Sequence, residues 1–458
     1  MWLLLDVLYW GLITFAILSA LFVISLYIRG AFRWRALMHV KRAIAPSEPH
    51  FSLAIESLTK SLQANGNVID FWATAKEIQQ ARLSAIESAT ESIQFETYIM
   101  TPGQRAQDFA AAVSRKAVEG VYVQLLVDSV GTWKMPRKYW HRMREAGVDV
   151  VFFNPFDWRA PANFAGRSHR KLLVIDGKKA LIGGAGISDL WDGVEKSDDT
   201  QPWLDIELAL EGQVVGMLSS VFQAHWQGHQ QQNSRLSFQR SDRTTAIDMG
   251  KIRAVAGERV KNKGEIPRPE SERSSTVLVT AGAKPSYRES SIERLKQMLI
   301  ACARKRIWLS SPYFLPNQST RHLIIEAKKA GVDVKVLTTS DRSDKKTVYY
   351  ASYEVYGPLL EAGIEIYEYQ PSMLHAKMLL IDDCWVNTGS ANLDYRSFLH
   401  NDELDILSDS EFLANRVKQV FERGFEQSEL VKLEDWQQRS WLKHRVLGNV
   451  TRLVQWQL

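Results

Sequence analysis

His169-Arg170-Lys171-Leu172-Leu173-Val174-Ile175-Asp176 and His375-Ala376-Lys377-Met378-Leu379-Leu380-Ile381-Asp382 are the same sentence written twice. Both read His-x-Lys-x4-Asp. Each core is a run of apolar, largely β-branched or leucine residues of strand length. After six intervening residues, each aspartate is followed by a small-residue turn: Gly183-Gly184-Ala185-Gly186 in the first copy, Gly389-Ser390-Ala391-Asn392 in the second. One such motif in a chain with ten histidines carries little weight. Two, each followed at the same distance by the same kind of turn, point to a duplicated unit with one site per pair.

Working outward, the duplication extends through the chain. Ser92–Ile99 follows a helical stretch, as Arg306–Phe314 does. Ala117-Val118-Glu119-Gly120 leads into Val121–Asp128, and Ala327-Lys328-Lys329-Ala330-Gly331 leads into Val332–Leu337. Glu145-Ala146-Gly147-Val148 is echoed by Glu361-Ala362-Gly363-Ile364. In each, the glycine is a helix stop and a strand begins at once. Helices alternating with short buried strands predict α/β layers. The domain plan is a first half over 52–228, a polar linker over 229–275 and a second half over 276–435.

Residues two apart on a strand face the same side, so each motif offers an imidazole and an ammonium to one pocket. Two halves folded together put His169, Lys171, His375 and Lys377 around one centre. That equipment suits phosphoryl transfer without a metal or other cofactor. The lysines neutralise a phosphodiester, one histidine attacks phosphorus, and the other moves the proton. No His/Cys spacing supports a zinc site. A histidine nucleophile needs a partner on its other nitrogen. The downstream candidates are Asp205 or Glu207 in the first half and Glu403 in the second; alignment of the strands pairs Asp205 with Glu403.

These motifs resemble those of the phospholipase D superfamily, over about residues 52–435. Together with Pro312-Tyr313-Phe314-Leu315-Pro316, Asn392–Ser397 and the N-terminus described next, they resemble the bacterial cardiolipin synthase branch. The resemblance implies two tandem pseudo-symmetric α/β/α halves sharing one active site. It implies a catalytic set of His169, Lys171, Asp176, His375, Lys377 and Asp382, in which the two aspartates are mainly structural. His169 is the expected nucleophile, Asp205 and Glu403 the histidine-orienting carboxylates, and Ser390 and Asn392 the phosphate ligands. The expected reaction moves a phosphatidyl group to phosphatidylglycerol, with phosphatidylglycerol or phosphatidylethanolamine as donor. Hydrolysis with water as acceptor uses the same residues. Gly184 and Gly186 depart from the pattern; they predict an asymmetric pocket with room for a bulkier headgroup.

The N-terminus fits a lipid substrate. Val7–Ile28 holds 22 residues without a charge, about 33 Å as a helix, which matches a hydrocarbon core of about 30 Å. Trp2, Tyr9, Trp10 and Tyr27 lie toward its ends. No positive region precedes it, as a cleaved signal would require. Residues 1–28 therefore read as a transmembrane anchor. The segment 29–51 after it carries Arg29, Arg33, Arg35, Lys41 and Arg42, which places the body on the cytoplasmic side of a bacterial inner membrane as a single-pass protein. The tail 436–458, with Trp436, Trp441, Leu442, Val450 and Trp456 among Arg and Lys, reads as a basic amphipathic helix, either interfacial or packed on the body.

The net charge of +5 is carried by the ends: +4 over 1–46 and +4 over 436–458, leaving −3 for 47–435. A nucleic-acid binder would carry its cations on the body, so nucleic acid is not an expected partner. Two cysteines, Cys302 and Cys384, exclude a disulfide scaffold and fit a reducing compartment. A homo-oligomer or an accessory subunit is left open.

Overall fold

The computed structural model describes residues 2–28, 44–158, 166–193, 201–237, 275–282 and 290–453. A helix over Trp2–Ile28 contains the apolar segment Leu5–Ser25, long enough to cross a membrane and unburied by the rest of the chain. The body is built on one sheet of fifteen strands among the described residues.

In the first half the strands are β1 (Leu62–Thr74), β2 (Ser92–Thr97), β3 (Tyr122–Asp128), β4 (Asp149–Phe153), β5 (Arg167–Ser168), β6 (Leu172–Ile175), β7 (Lys179–Gly183) and β8 (Leu204–Glu211). In the second they are β9 (Ser275–Ala281), β10 (Arg306–Ser310), β11 (Asp333–Thr339), β12 (Glu365–Tyr369), β13 (Met378–Ile381), β14 (Trp385–Gly389), β15 (Asn401–Asp402), β16 (Leu404–Ser408) and β17 (Ser428–Leu430). The sheet order is β17-β12-β11-β10-β13-β14-β16-β9-β1-β8-β7-β6-β2-β3-β4. Read outward from the central antiparallel pair β1–β9, the two sides repeat. Each has two antiparallel neighbours, then a motif strand antiparallel to the first of three parallel strands, and the second side adds β17 antiparallel at its outer edge. A pseudo-two-fold axis passes between β1 and β9.

Local chemistry explains the repeat. The helix after β1, Ala75–Ser88, starts with Thr74-x-x-Glu77: the Thr74 hydroxyl accepts from Glu77 N at 3.3 Å and donates to Glu77 Oε2 at 2.8 Å. The helix after β9, Ser291–Cys302, starts with Ser290-x-x-Glu293, and Ser290 Oγ accepts from Glu293 N at 3.2 Å. Both are side-chain N-caps of the Ser/Thr-x-x-Glu type. The stop glycines Gly120, Gly147, Gly331 and Gly363 all have φ between +78° and +96°. L-residues avoid that region, and glycine enters it without a Cβ clash.

Alternation along the motif strands divides the core. Leu172 and Val174 join Met378 and Leu380 in one continuous apolar layer, covered by helices Gln213–Ser237 and Glu411–Glu426. Leu173 and Ile175 face a second layer with helix Gln104–Val118; Leu379 and Ile381 face a third with helix Ser291–Cys302. The result is α/β/α across both halves. Truncating a buried leucine such as Leu380 to alanine would cost about 2–5 kcal/mol.

Several expected boundaries move. The linker expected from 229 starts later, because helix Gln213–Ser237 runs past it; its buried Phe222 and Trp226 seat it on the sheet. The rest of that linker, 238–274, lies outside the described residues, as does the basic segment 29–43. The helix Phe51–Thr59, which straddles the boundary expected between the segment 29–51 and the first half, packs into the second-half core: the Phe51 ring lies 5.2 Å from that of Trp385. The tail is not one helix. A short helix Leu433–Gln437 is followed by a wide-turn helix Trp441–Gly448 and a last turn Asn449–Leu453; 454–458 lie outside the described residues.

Candidate active site

The two motif strands enter the site at the same edge of the sheet, and each is stitched to the opposite half. β5 pairs in parallel with β15, Ser168 against Asp402, and His169 N donates to Asp402 O at 2.9 Å. In the mirror position Leu374 bridges Leu204, and His375 N donates to Leu204 O at 2.7 Å. Each histidine is thus held beside the segment that carries the other half's carboxylate.

The side chains follow. His169 Nδ1 lies 2.9 Å from Glu403 Oε2, and His375 Nδ1 lies 2.7 Å from Asp205 Oδ2. The pairs are crossed between halves. Both carboxylates are buried. Lys171 Nζ donates to His169 O at 2.5 Å, and Lys377 Nζ donates to His375 O at 2.5 Å. Lys377 Nζ also sits 3.0 Å from both ring nitrogens of His375. On each ring the carboxylate engages Nδ1, which leaves Nε2 as the nitrogen without a carboxylate partner.

The electrostatics are strained by burial. Desolvation and the Lys377 charge push Lys171 down to about 7; desolvation brings Lys377 down to about 8. Desolvation, Lys171 and Lys377 push His169 well below its usual range. Desolvation and Lys377 also lower His375, but Asp205 opposes them. For Asp205 itself, the rise from burial is outweighed by His375, Lys377 and Trp191, and it stays ionised. Burial raises Glu403, against the pull of Lys171 and Ser390. The two acid–imidazole pairs are alike in geometry, but burial drives Glu403 up, whereas the neighbours of Asp205 outweigh burial and drive it down.

The small-residue turns explain part of that difference. Ser390 was expected on the phosphate; instead its hydroxyl donates to Glu403 Oε2 at 2.6 Å and accepts from Leu404 N at 2.9 Å. It buttresses the carboxylate. Gly184 takes the same place in the first half, and a Cβ there would collide with Asp205 Oδ1. The donor to Asp205 comes from elsewhere: Trp191 Nε1, at 2.8 Å from Oδ2. The Trp191 ring stands edge-on to His375 at 5.2 Å and packs on Trp203 at 4.8 Å. The space expected at Gly186 for a larger headgroup is closed. A Cβ there would meet the Ile99 side chain, Ile99 O at 2.9 Å and Trp191 at 3.3 Å. Arg82 fixes this turn, bonding the carbonyls of Ala185 (2.8 Å) and Gly186 (3.2 Å) and pairing with Glu207. Glu207 is therefore engaged with Arg82 and not with a histidine.

Asp176 and Asp382 stand at the far end of their strands, away from the histidines. Asp176 accepts backbone N–H groups of Thr90, Glu91 and Ser92 at 2.7–2.9 Å. Asp382 does the same for Arg304, Lys305 and Arg306. Asn392 donates its side-chain amide to Asp394, whose carboxyl burial lifts to about 6.

Sequence reading missed four contributors. Trp191 could have been sought as the donor replacing the absent serine. Tyr98 directly follows β2, and its ring lies 5.2 Å from His169 and 5.6 Å from Lys171 Nζ. His225 Nδ1 pairs with buried Glu96 at 2.6 Å, and Ser168, beside His169, donates to the same carboxylate at 2.6 Å. Nothing local marks either member of that pair.

The comparisons with known proteins agree with this geometry. The family model described as a cardiolipin synthase, phospholipase D-like domain matches residues 83–191 and 297–425, one stretch per half. A cardiolipin synthase 2 of Bacillus anthracis is 31% identical over 382 residues, 82% of this chain and 68% of that protein. A cardiolipin synthase of Geobacillus thermodenitrificans is 30% identical over 387 residues, 83% and 70% of the two chains. Among solved structures, phosphatidylserine synthase of Haemophilus influenzae superposes with a TM-score of 0.63 at 16% identity, over 89% of this chain and 99% of that one, a likeness of fold. The chain belongs to the cardiolipin synthase family of phospholipase D-like proteins.

Proposed function

We propose that this protein is a membrane-anchored phosphatidyltransferase that makes cardiolipin, moving a phosphatidyl group to phosphatidylglycerol through a phosphohistidine. The observation that carries the reading is the buried centre of crossed His–carboxylate pairs with two lysines. Burial depresses both Lys171 and Lys377, and the Lys377 charge depresses Lys171 further. A phosphodiester anion between them relieves that cost, so the resting site favours one phosphate.

The steps follow from the asymmetry. His169 is the more strongly held in its neutral form, so its Nε2 lone pair attacks phosphorus. The bond from phosphorus to the headgroup oxygen breaks, and His375 gives its proton to that oxygen. His375 is the better acid–base partner because ionised Asp205 stabilises its imidazolium. The headgroup alcohol leaves. The hydroxyl of phosphatidylglycerol then gives its proton to His375 and attacks phosphorus, and the bond to His169 breaks. One phosphodiester replaces another, so the direction follows lipid concentrations.

The protein is membrane-associated, as its relatives and the apolar helix Leu5–Ser25 indicate. We infer a single crossing with the body on the cytoplasmic side of a bacterial inner membrane, from the cations between Arg29 and Arg42. The decisive experiment is lipid analysis of cells lacking their own cardiolipin synthases, expressing wild type, His169→Ala or His375→Ala. Cardiolipin with wild type alone is the expected result. Phosphatidic acid in its place would make the enzyme a hydrolase, and no change in either lipid would overturn the assignment.

A further inference from the structure

The point where the chain enters the body and the active site lie at opposite ends of the sheet. The chain enters the body at residues 44–50, where Pro46 O accepts from Trp385 Nε1 at 3.0 Å. Trp385 pairs with Ile381 at one end of the β13–β14 hairpin; Met378 pairs with Thr388 at the other, next to Lys377 and His375. Four residues of strand, about 13 Å, separate the two ends. An anchor alone would not bring the site to the lipid.

The catalytic edge carries its own apolar features. On the first-half side, Met100 N donates to Gly131 O at 3.2 Å, which seats the loop after β3 beside Tyr98 and so beside His169. Two residues on, Trp133 is 73% exposed, with exposed Lys134, Arg137 and Lys138 after it. On the second-half side, Tyr313 donates to Asp344 at 2.7 Å, and helix Lys346–Tyr353 follows. The tail is locked onto that helix: Trp436 Nε1 donates to Tyr353 O at 2.7 Å, the His444 ring lies 4.5 Å from Tyr353, and Gly448 packs against Tyr350 O. This packing leaves Trp441 at 69%, Leu442 at 60% and Val450 at 57% exposure, with Lys443 and Arg445 exposed among them.

Large apolar side chains interleaved with cations, on the first-half loop and on the second-half tail, match an anionic bilayer surface: rings and leucine enter the headgroup layer, ammonium and guanidinium groups meet phosphates. We propose that the catalytic edge is itself a membrane-docking surface, with Trp133 on one rim and Trp441, Leu442 and Val450 on the other seated in an anionic phospholipid bilayer. The inference rests on the lipid substrate assigned above. The N-terminal helix is then a tether, and the catalytic edge makes the contact with the bilayer that presents the site to lipid.

The test uses the full chain in nanodiscs of phosphatidylglycerol and phosphatidylethanolamine, with Cys384→Ser and a fluorophore on Trp133→Cys, Trp441→Cys or, at the far edge, Ser47→Cys. Spin-labelled lipids are expected to quench the probes at 133 and 441 and to spare the probe at 47. Quenching at 47 alone, or at none of the three, overturns the proposal. Rim probes hidden from both lipid and aqueous quenchers overturn it in favour of a protein partner or a second copy. This readout needs no turnover, so it stands apart from the transferase assignment. In parallel, Trp441→Glu with Leu442→Glu should lower turnover of bilayer lipid about ten- to hundred-fold and leave turnover of a monomeric short-chain phospholipid unchanged. Equal loss on both substrates, or none on either, refutes docking through the tail.

Discussion

Asp205→Asn tests the division of labour between the two histidines. The Asp205 carboxylate lies 2.7 Å from His375 Nδ1 and works against burial and Lys377, which both drive the imidazole toward neutrality. An adjacent opposite charge typically moves a pKa by about 1–3 units. Removing it lets the pKa of His375 fall by that amount. His375 must be protonated to release the headgroup, so the sign is fixed. The alkaline limb of the kcat/KM profile moves toward acid by about 1–3 units, a loss of about 10- to 1,000-fold at a fixed pH on that limb. Losing the tautomer-fixing acceptor adds to this; in a serine protease the equivalent change costs about 10⁴. Glu403→Gln is the control. Burial already pushes Glu403 toward its neutral form, so the amide should shift the profile less. The assay is the initial rate of labelled cardiolipin formation in mixed micelles from pH 5 to 9. A collapse in kcat with both limbs in place would mean that Asp205 only orients the ring. Movement of the acid limb would exchange the roles of His169 and His375.

Other expectations follow from the same geometry. Trp191→Phe keeps the ring against His375 and removes only the donor to Asp205; a hydrogen bond to a charged group is worth about 1.5–3 kcal/mol, so kcat should fall about 10- to 100-fold, and Ser390→Ala should show the matching loss on the Glu403 side. Gly186→Asn should abolish activity or folding and not alter headgroup preference, because its Cβ meets Ile99; a folded variant with a new preference would refute the packing argument. Asp382→Ala should lower the melting temperature through loss of three backbone acceptor contacts and leave kcat unchanged, since the carboxylate lies at the far end of its strand. Glu96→Gln should destabilise the protein by about 3–5 kcal/mol by breaking a buried pair with His225. Burial raises Glu96, but His225 outweighs it and holds it down at about 2, so the stability from this carboxylate is present above its unfolded value and lost as pH falls toward 2. Acid unfolding monitored by tryptophan fluorescence should therefore lose its low-pH component in the variant.

Much of this protein was legible from the chain alone because the relevant physics is local. A helix stop needs one glycine at positive φ, and Gly120, Gly147, Gly331 and Gly363 announce four of them. Spacing of two on a strand brings each His and Lys to one face, and the repetition of the whole pattern implies a shared centre. The tertiary structure decided what depends on contacts far apart in sequence. His169 takes its carboxylate 234 residues away and His375 takes its own 170 residues away, each from the opposite half. Ser390 serves a carboxylate because β16 brings Glu403 beside it. Trp191 stands in for the serine missing at Gly184 because the fold brings its indole to Asp205, beside a Gly186 whose missing Cβ leaves the ring room. The helix Phe51–Thr59 is amphipathic wherever it lies, and only the exposed core around Trp385 tells it which half to cover. Apolar patterning states that a face must be buried; the partner that buries it is set by chain topology and by which surface remains open.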